Sequence, residues 1–379
     1  MNAKEFFDKL KPWSKRKHRL LAKYLPPFSA KVATTTQSRE IYCIDGFAGA
    51  AKYDDGSEGS PLLMARFADL CAEWQKPVFL KLINVEPDKK NEGIFNSLVN
   101  ATQAWTDRGV VQNIKKEFFS ALPDVLSRIG NQPALFFIDP LGPTHVHFSH
   151  LQPIFSRSQK ITELIINFDT DGIHRIAKAA VSTNTNLKAA ETDAKLVTQI
   201  IGSSDWLKKF RNTQMTTEEG EATLLQEYIR NIRKDGYEIV AYQIRESLNR
   251  HPQYHFVYCT RHPDGIALMN DFVREEENLL YGEHVEDCLP LFVEEASLSR
   301  VVETRRDTLS VVLEVYLNNH PVVTRGQIKR DLLTKNFGYF HSKDYNAVVQ
   351  RFMEREILRE ETGKKRINDS HVLRYFPDF

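Results

Sequence analysis

The sequence predicts an α/β protein built on a Rossmann-like, mostly parallel sheet with an antiparallel edge pair and a C-terminal winged helix-turn-helix. Short apolar segments alternate with helical segments through the first part of the chain, which is typical of a doubly wound sheet. Several of these segments are continuously apolar and end in an acid, as strands buried on both faces do. The rhythm changes near the C-terminus, which indicates a separate unit.

Residues 1–37 are predicted to form a basic helical segment that ends at Pro26 and Pro27, since proline disrupts a helix interior. Within it, Lys9–Lys23 carries seven basic residues and no acid. Such a segment suits phosphate contacts, or it is a solvated helix face.

A core domain is predicted over residues 38–300, in which strands and helices alternate. The predicted strands are Ile41–Asp45, Val78–Val85, Gly109–Ile114, Ala134–Ile138 and Leu164–Phe168. The predicted helices between them are Leu62–Trp74, Lys89–Gln103 and Phe118–Ile129. A polar helical insertion follows at about residues 173–231, and nothing in its sequence indicates a role. Tyr237–Arg245 and Tyr254–Thr260 are then predicted to pair antiparallel at the sheet edge.

Residues 305–379 are predicted to contain three helices followed by a hairpin, the pattern of a winged helix. The helices are Leu309–Asn319, Thr324–Asn336 and Ser342–Glu356, and the strands are Ile357–Glu361 and His371–Phe376. Residues suited to base edges lie along the third helix, and basic residues suited to phosphates lie in the wing. The candidate nucleic-acid-binding residues are Lys343, Asn346, Gln350, Arg351, Lys364, Lys365 and Arg366. A helical cap on the main domain and a protein-binding winged helix are the alternatives.

Composition excludes several classes of protein. The chain has 379 residues, with 51 Lys and Arg against 50 Asp and Glu, and this balance is ordinary for a globular protein. Its four cysteines are far apart, which excludes zinc-ribbon spacing and a disulfide framework. No apolar run is long enough to span a membrane, and the first residues lack a signal-peptide pattern. A cytoplasmic protein without a membrane partner is expected.

Acids close four of the predicted strands: Asp45, Glu86, Asp139 and Asp169. Ligands of open parallel sheets bind at the carboxyl ends of the strands, near the switch point of the strand order. An acid that ends a strand also occurs for capping reasons alone. Four such acids in register favour a binding crevice.

A nucleoside site is predicted at the first two strand ends. Asp45, Gly46, Phe47 and Gly49 form a turn of small residues, and Glu86 can accept hydrogen bonds from ribose hydroxyls. Glu117 would meet the edge of an adenine ring. The alternatives are a tight turn without a ligand and, for Glu86, a cap of the following helix. For Glu117, a structural role without a ligand is favoured. NAD is disfavoured because the GxGxxG fingerprint is absent.

Asp139 and Pro140 are the candidate catalytic residues. A carboxylate and a backbone carbonyl side by side at a central strand end can accept hydrogen bonds from an exocyclic amino group, such as that of a flipped base. The alternative is a rigid loop in which proline ends the strand. The histidines of HVHFSH, at 145, 147 and 150, lack carboxylate or cysteine partners at metal-site spacing, so no metal is predicted.

With these motifs in hand, the chain resembles the three-Cys-motif partner proteins, a bacterial family with a class I methyltransferase-like domain and a C-terminal winged helix. The resemblance rests on the order of motifs along nearly the whole chain. They are the basic segment with Trp13, His18 and Tyr24, then YCIDGFAGAAKY, Gly59–Pro61, FIDPLG, LIINF and YHFVYCTRHPDGIALM.

The resemblance implies S-adenosylmethionine as cofactor, with Asp45, Gly46, Phe47 and Gly49 at its methionine end and Glu86 on its ribose. It also implies a partner protein of the radical S-adenosylmethionine type with three clustered cysteines. Two features depart from the family pattern. Ala51 stands where the turn usually has a second glycine, and Asp-Pro-Leu-Gly replaces the Asp-Pro-Pro-aromatic form of amino methyltransferases.

Two functions follow as hypotheses. The first is methyl transfer from S-adenosylmethionine to nucleic acid, with DNA favoured over RNA. The second is a catalytically degenerate nucleotide-binding scaffold that acts as a DNA-binding adaptor for the radical-type partner. The two departures from the family pattern favour the second. A role in repair or phage defence is compatible with either.

Overall fold

The structure is a computed structural model. It describes residues 11–36, 39–87, 93–182, 186–212, 215–252, 254–288, 295–362 and 367–377. The chain divides into two compact units: unit 1 is Met1–Glu246 with Arg250–His262, and unit 2 is Ser247–Asn249 with Pro263–Phe379. Unit 2 therefore begins earlier than the predicted boundary near residue 305.

A seven-stranded sheet with the order β3-β2-β1-β4-β5-β7-β6 forms the centre of unit 1. β1 to β5 run parallel, whereas β7 runs antiparallel to both β5 and β6. The strands are β1 (Glu40–Asp45), β2 (Phe79–Val85), β3 (Val111–Ile114), β4 (Ala134–Ile138), β5 (Thr162–Phe168), β6 (Glu238–Ile244) and β7 (Tyr254–Thr260). The predicted Rossmann-like sheet with an antiparallel edge pair is confirmed.

Nine α-helices accompany this sheet in the described part of unit 1. They are α1 (Pro12–Thr35), α2 (Ser60–Ala72), α3 (Ile94–Asp107), α4 (Phe118–Ile129), α5 (Phe148–Phe155), α6 (Thr170–Val181), α7 (Leu187–Ile201), α8 (Asp205–Asn212) and α9 (Thr217–Arg233). The predicted insertion consists of α6 to α9, which follow β5 along the chain.

The central strands are apolar because both faces of the sheet are covered. Every residue of β4 is buried, and alternate side chains point to opposite faces. Phe136 and Ile138 pack in the large core formed with α4 to α9. On the other face, Tyr24 of α1 contacts Tyr258 of β7 with ring centroids 5.3 Å apart.

The helix α1 corrects the prediction that the N-terminal helix ends at Pro26 and Pro27. It continues through both prolines to Thr35. An interior proline costs about 3 kcal/mol because it lacks an N–H and its ring clashes with the preceding turn. Burial of Leu25, Phe28 and Val32 offsets this cost, since each such side chain contributes roughly 1.5–3 kcal/mol.

Unit 2 contains four helices and a small antiparallel sheet within the described residues. The helices are α10 (Pro263–Cys288), α11 (Glu295–Asn319), α12 (Arg325–Lys335) and α13 (Ser342–Glu354). The sheet order is β8-β10-β9, with β8 at Val322–Thr324, β9 at Leu358–Glu360 and β10 at Val372–Tyr375. The sequence predicts the hairpin β9–β10 but misses β8. It also places the start of α11 fourteen residues too late, at 309 instead of 295.

Side-chain caps define where the unit 2 helices begin. Thr324 caps α12 in a capping box with Gln327, and His341 caps α13 in a capping box with Asp344. Their inner faces share one core with the sheet, centred on residues such as Leu317, Val348 and Leu373. In the described part of the chain, no helix combines the length and the apolarity needed to cross a bilayer.

Candidate functional site

Asp45 lies at the carboxyl end of β1, beside β2 and β4, where the strand order reverses. Its carboxyl is fully buried, and the Phe47 N–H donates to Oδ1 at 3.2 Å. Oδ2 is buried without a hydrogen-bond partner among the described residues. Burial raises the pKa of Asp45 to about 7, although the Ser60 side chain and the Phe47 N–H oppose this. Such an oxygen favours a donor or a cation as partner.

Tight packing around position 46 favours glycine there. Its N–H donates to the Phe137 carbonyl at 3.0 Å. A Cβ at this position would lie 3.1 Å from side-chain atoms of both Ile138 and Phe118. That face of the glycine is therefore filled by protein side chains, and its smallness lets the turn close against α4.

Gly49 and Glu86 connect the turn after β1 to the end of β2. Gly49 has a φ of 62°, and its N–H donates to Glu86 Oε2 at 2.8 Å. The neighbouring Ala48 N–H donates to the Val85 carbonyl at 3.1 Å. The structure thus brings together two parts of the predicted nucleoside site that are 37 residues apart in sequence.

Ala51 adopts a left-handed backbone with a φ of 64°, which costs an alanine roughly 1–2 kcal/mol. Its carbonyl accepts the Gly59 N–H at 2.8 Å, and its side chain is buried in a small cluster with Ala48, Leu62 and Leu98. Glycine adopts this φ without strain. The backbone at Ala51 thus has the left-handed conformation that a glycine, the residue expected here, adopts readily.

An aromatic group lines the same edge of the sheet. The Phe47 ring lies 5.7 Å from that of Phe118 and 5.9 Å from that of His145, measured between centroids. Glu117 is the N-cap residue of α4, in the short connection after β3, and is partly exposed. Since β3 is next to β2, Glu117 and Glu86 follow neighbouring parallel strands at one edge of the sheet.

Asp139 follows β4, and two side chains already bind its carboxylate. Lys17 Nζ of α1 donates to Oδ1 at 2.7 Å and to Oδ2 at 2.8 Å. Asn167 Nδ2 of β5 donates to Oδ1 at 2.7 Å. Pro140 is buried next to it. Three of the roughly four acceptor positions of the carboxylate are therefore used, which leaves one for a further donor.

Sequence reasoning missed the residues that surround Asp139. Lys17 is almost fully buried, and its Nζ lies 5.1 Å above the Tyr254 ring. Burial lowers the pKa of the adjacent His18 to about 4, although the charge of Asp139 opposes this. The sequence contains an indication that Lys17 is buried. Lys17 is four residues before the apolar Leu21 and therefore lies on the same, inner face of α1.

Asp169, the fourth acid at a strand end, caps α6. Its Oδ1 accepts the Gly172 N–H at 2.8 Å, and a Cβ on Gly172 would lie 2.5 Å from Oδ2. Burial raises the pKa of this carboxyl. The structure therefore gives Asp169 the capping role that the sequence left open as the alternative.

In unit 2, the candidate base-reading residues of α13 differ in their surroundings. Lys343, Asn346 and Gln350 are exposed, and Asn346 Oδ1 accepts from Arg325 at 2.7 Å. Arg351 instead pairs with two acids of α11, Glu303 and Asp307. The wing residues Lys364, Lys365 and Arg366 lie outside the described residues.

Comparison with protein-family models and with curated proteins gives no match to this chain.

Proposed function

We propose that unit 1 binds S-adenosylmethionine and directs its methyl group to an amino group of nucleic acid, DNA in preference to RNA. The supporting observation is the hydrogen bond from the Gly49 N–H to Glu86 Oε2. It joins a tight turn to an acid at adjacent strand ends next to the switch point, the location where sheets of this kind bind nucleosides.

The residues at this edge fit such a cofactor. Glu86 would accept a ribose hydroxyl, and Glu117 would meet the adenine edge. The partnerless Oδ2 of Asp45 suits the ammonium of the methionine end. The partly exposed Phe47 supplies an apolar wall, and the buried Phe118 packs against its ring from the core. When bound, S-adenosylmethionine supplies an electrophilic methyl group, and an amino nitrogen that takes it up must release one proton.

Asp139 would orient that amino group through its one remaining acceptor position. Lys17 and Asn167 hold the carboxylate in place from two sides, so it is preorganised to accept a hydrogen bond. The Pro140 carbonyl would be the second acceptor. Positioning of this kind supplies much of the rate in displacement reactions.

The ion pair between Lys17 and Asp139 also favours a second function. A carboxylate that serves only to anchor α1 needs no acceptor substrate, and the chain would then be a cofactor-binding scaffold that acts as a DNA-binding adaptor. We infer for either function that unit 2 is a winged helix and that Lys343, Asn346 and Gln350 of α13 contact DNA. The family resemblance further supports a partner of the radical S-adenosylmethionine type with three clustered cysteines, and we propose a cytoplasmic location.

Calorimetric titration of the full chain tests cofactor binding. S-adenosylmethionine and S-adenosylhomocysteine should both bind, and Glu86→Gln should weaken each at least tenfold, about the loss of one charge-assisted hydrogen bond. Asp124→Asn, an exposed carboxylate of α4 that pairs with Lys116, is the matched control and should bind as wild type does. No binding at millimolar ligand by the folded chain would rule the proposal out.

Radiolabelled methyl transfer distinguishes the two functions. If the chain is an enzyme, it labels DNA and Asp139→Ala abolishes labelling. If it is an adaptor, neither protein labels DNA or RNA, and Asp139→Ala binds DNA normally. In both cases Lys343→Ala combined with Gln350→Ala should weaken DNA binding, whereas Arg351→Ala should change it less because Glu303 and Asp307 hold this arginine.

A further inference from the structure

The helical insertion and the loop between β6 and β7 bring three potential metal ligands together. Asp171 lies in the first turn of α6, Glu221 in α9, and His251 in the loop. Their ligand atoms all lie within 4.8 Å of one another. Within this group, His251 Nε2 is 2.8 Å from Glu221 Oε1.

The burial of Glu221 makes this group unlike a solvated acidic patch. Its side chain is 5% exposed, and a buried carboxylate is costly unless a cation or several donors satisfy it. Asp171 has an ion pair with Arg175 at 3.4 Å, and Arg175 is 72% exposed. Such a surface pair contributes little to stability, so it leaves Asp171 available to a stronger partner.

A fourth residue lies beside this group. His174 lies one helical turn after Asp171, on the same side of α6. It is 2% exposed, and its Nε2 is buried with no hydrogen-bond partner among the described residues. A Cβ on Gly220 would lie 2.4 Å from this nitrogen, so Nε2 is held against the residue directly before Glu221. Its ring nitrogens lie outside the 4.8 Å separation that the three ligand atoms share, so His174 borders the group and is not one of its ligands.

We propose that Asp171, Glu221 and His251 form a binding site for a divalent transition-metal ion such as Zn²⁺. One imidazole and two carboxylates suit zinc and its neighbours, whereas calcium and magnesium prefer oxygen ligands alone.

The geometry is close to what such a site needs. Bonds of about 2.05 Å at tetrahedral angles place ligand atoms roughly 3.3 Å apart. The present separations run from 2.8 Å to at most 4.8 Å among the first three ligands, so rotamer adjustments of the partly exposed Asp171 and His251 would reach it. Three protein ligands leave the fourth tetrahedral position to a water molecule. The ion would fasten the insertion to the loop between β6 and β7.

The test uses the full chain, stripped of metal by a chelator and titrated with ZnCl₂ in a calorimeter. One ion should bind per chain, and His251→Ala should weaken binding at least tenfold. His150→Ala, which removes another exposed histidine of unit 1, should leave the affinity unchanged. Co²⁺ should give the intense visible absorption of a four-coordinate site, and this absorption should weaken in Asp171→Asn.

Absence of Zn²⁺ binding by the wild-type chain would overturn the proposal, as would equal affinities for wild type and His251→Ala. Glu221→Gln gives a second check, with the same loss of affinity expected. Because its side chain is partly exposed, His251 can be replaced without opening the core, so the decisive variant does not depend on Glu221→Gln folding. The result is independent of any cofactor at Gly49 and Glu86.

Discussion

Replacement of Lys17 by methionine tests whether α1 is anchored through Asp139. The side chain of Lys17 is 3% exposed and that of Asp139 is 17% exposed. Loss of one partner from a buried pair costs about 3–5 kcal/mol, because it leaves an uncompensated charge. Methionine keeps the length of the lysine stem, and Asn167 remains bound to Asp139. We therefore expect the lower end of that range, about 3 kcal/mol in the free energy of unfolding.

The double variant Lys17→Met with Asp139→Asn separates charge from packing. It removes both charges, so most of the destabilisation should be recovered, with a coupling energy of roughly 2 kcal/mol between the two sites. Lys15→Met is the matched control, since Lys15 is an exposed residue of the same helix. It should change stability by less than about 0.5 kcal/mol.

Urea unfolding followed by tryptophan fluorescence measures this effect in the intact chain. All four tryptophans of the sequence lie before Glu246, so their emission reports on unit 1 and not on unit 2. A cost below about 1 kcal/mol for Lys17→Met would match an exposed pair and refute the reasoning. A coupling energy near zero would do the same.

Three further changes test the backbone and the buried acids. Ala51→Gly and Ala48→Gly each delete a buried methyl group, but only Ala51→Gly relieves a left-handed φ. In urea unfolding, Ala51→Gly should therefore be more stable than Ala48→Gly by about 1–2 kcal/mol. Equal stabilities of the two variants would contradict the backbone strain at Ala51. Asp45 holds its proton up to about pH 7 in the folded state, whereas the unfolded chain loses this proton near pH 3.8. The stability of wild type relative to Asp45→Asn should therefore fall as the pH rises through this window. A difference that does not change with pH would refute the raised pKa. Tyr24→Phe removes one of three hydroxyl donors to the buried Glu163. It should lower the free energy of unfolding, measured by thermal unfolding, by about 1.5–3 kcal/mol. A loss under about 0.5 kcal/mol would contradict this hydrogen bond.

The strands were predictable because their burial is visible in the sequence. β4 and β7 begin and end at the predicted residues, Ala134–Ile138 and Tyr254–Thr260. When a strand is buried on both faces, its apolar run ends where polar residues begin, and this fixes the first and last residues of the strand. The meeting of Gly49 with Glu86 follows from the same logic, since adjacent parallel strands bring their carboxyl ends together.

The parts that the sequence could not predict depend on docking between distant segments. Local propensity predicts that the N-terminal helix ends at Pro26, but the helix continues to Thr35 because its apolar side chains pack in the core. Lys17 and Asp139 are separated by 122 residues, and no spacing rule pairs them. The cluster of Asp171, Glu221 and His251 likewise draws on three segments, none of which carries a metal motif by itself.

The inward position of Lys17 also changes how the basic N-terminal segment is interpreted. Seven basic residues without an acid suggested phosphate contacts, yet Arg16 and Lys17 are 3% and 2% exposed. A buried cation cannot release counterions from DNA, so these two residues would not add to the electrostatic part of the proposed DNA binding. In that proposal, the electrostatic part would come from exposed cations, such as Lys15 in α1 or Lys343 in α13. The basic segment thus serves, at least in its central turn, to neutralise a carboxylate at the carboxyl edge of the sheet.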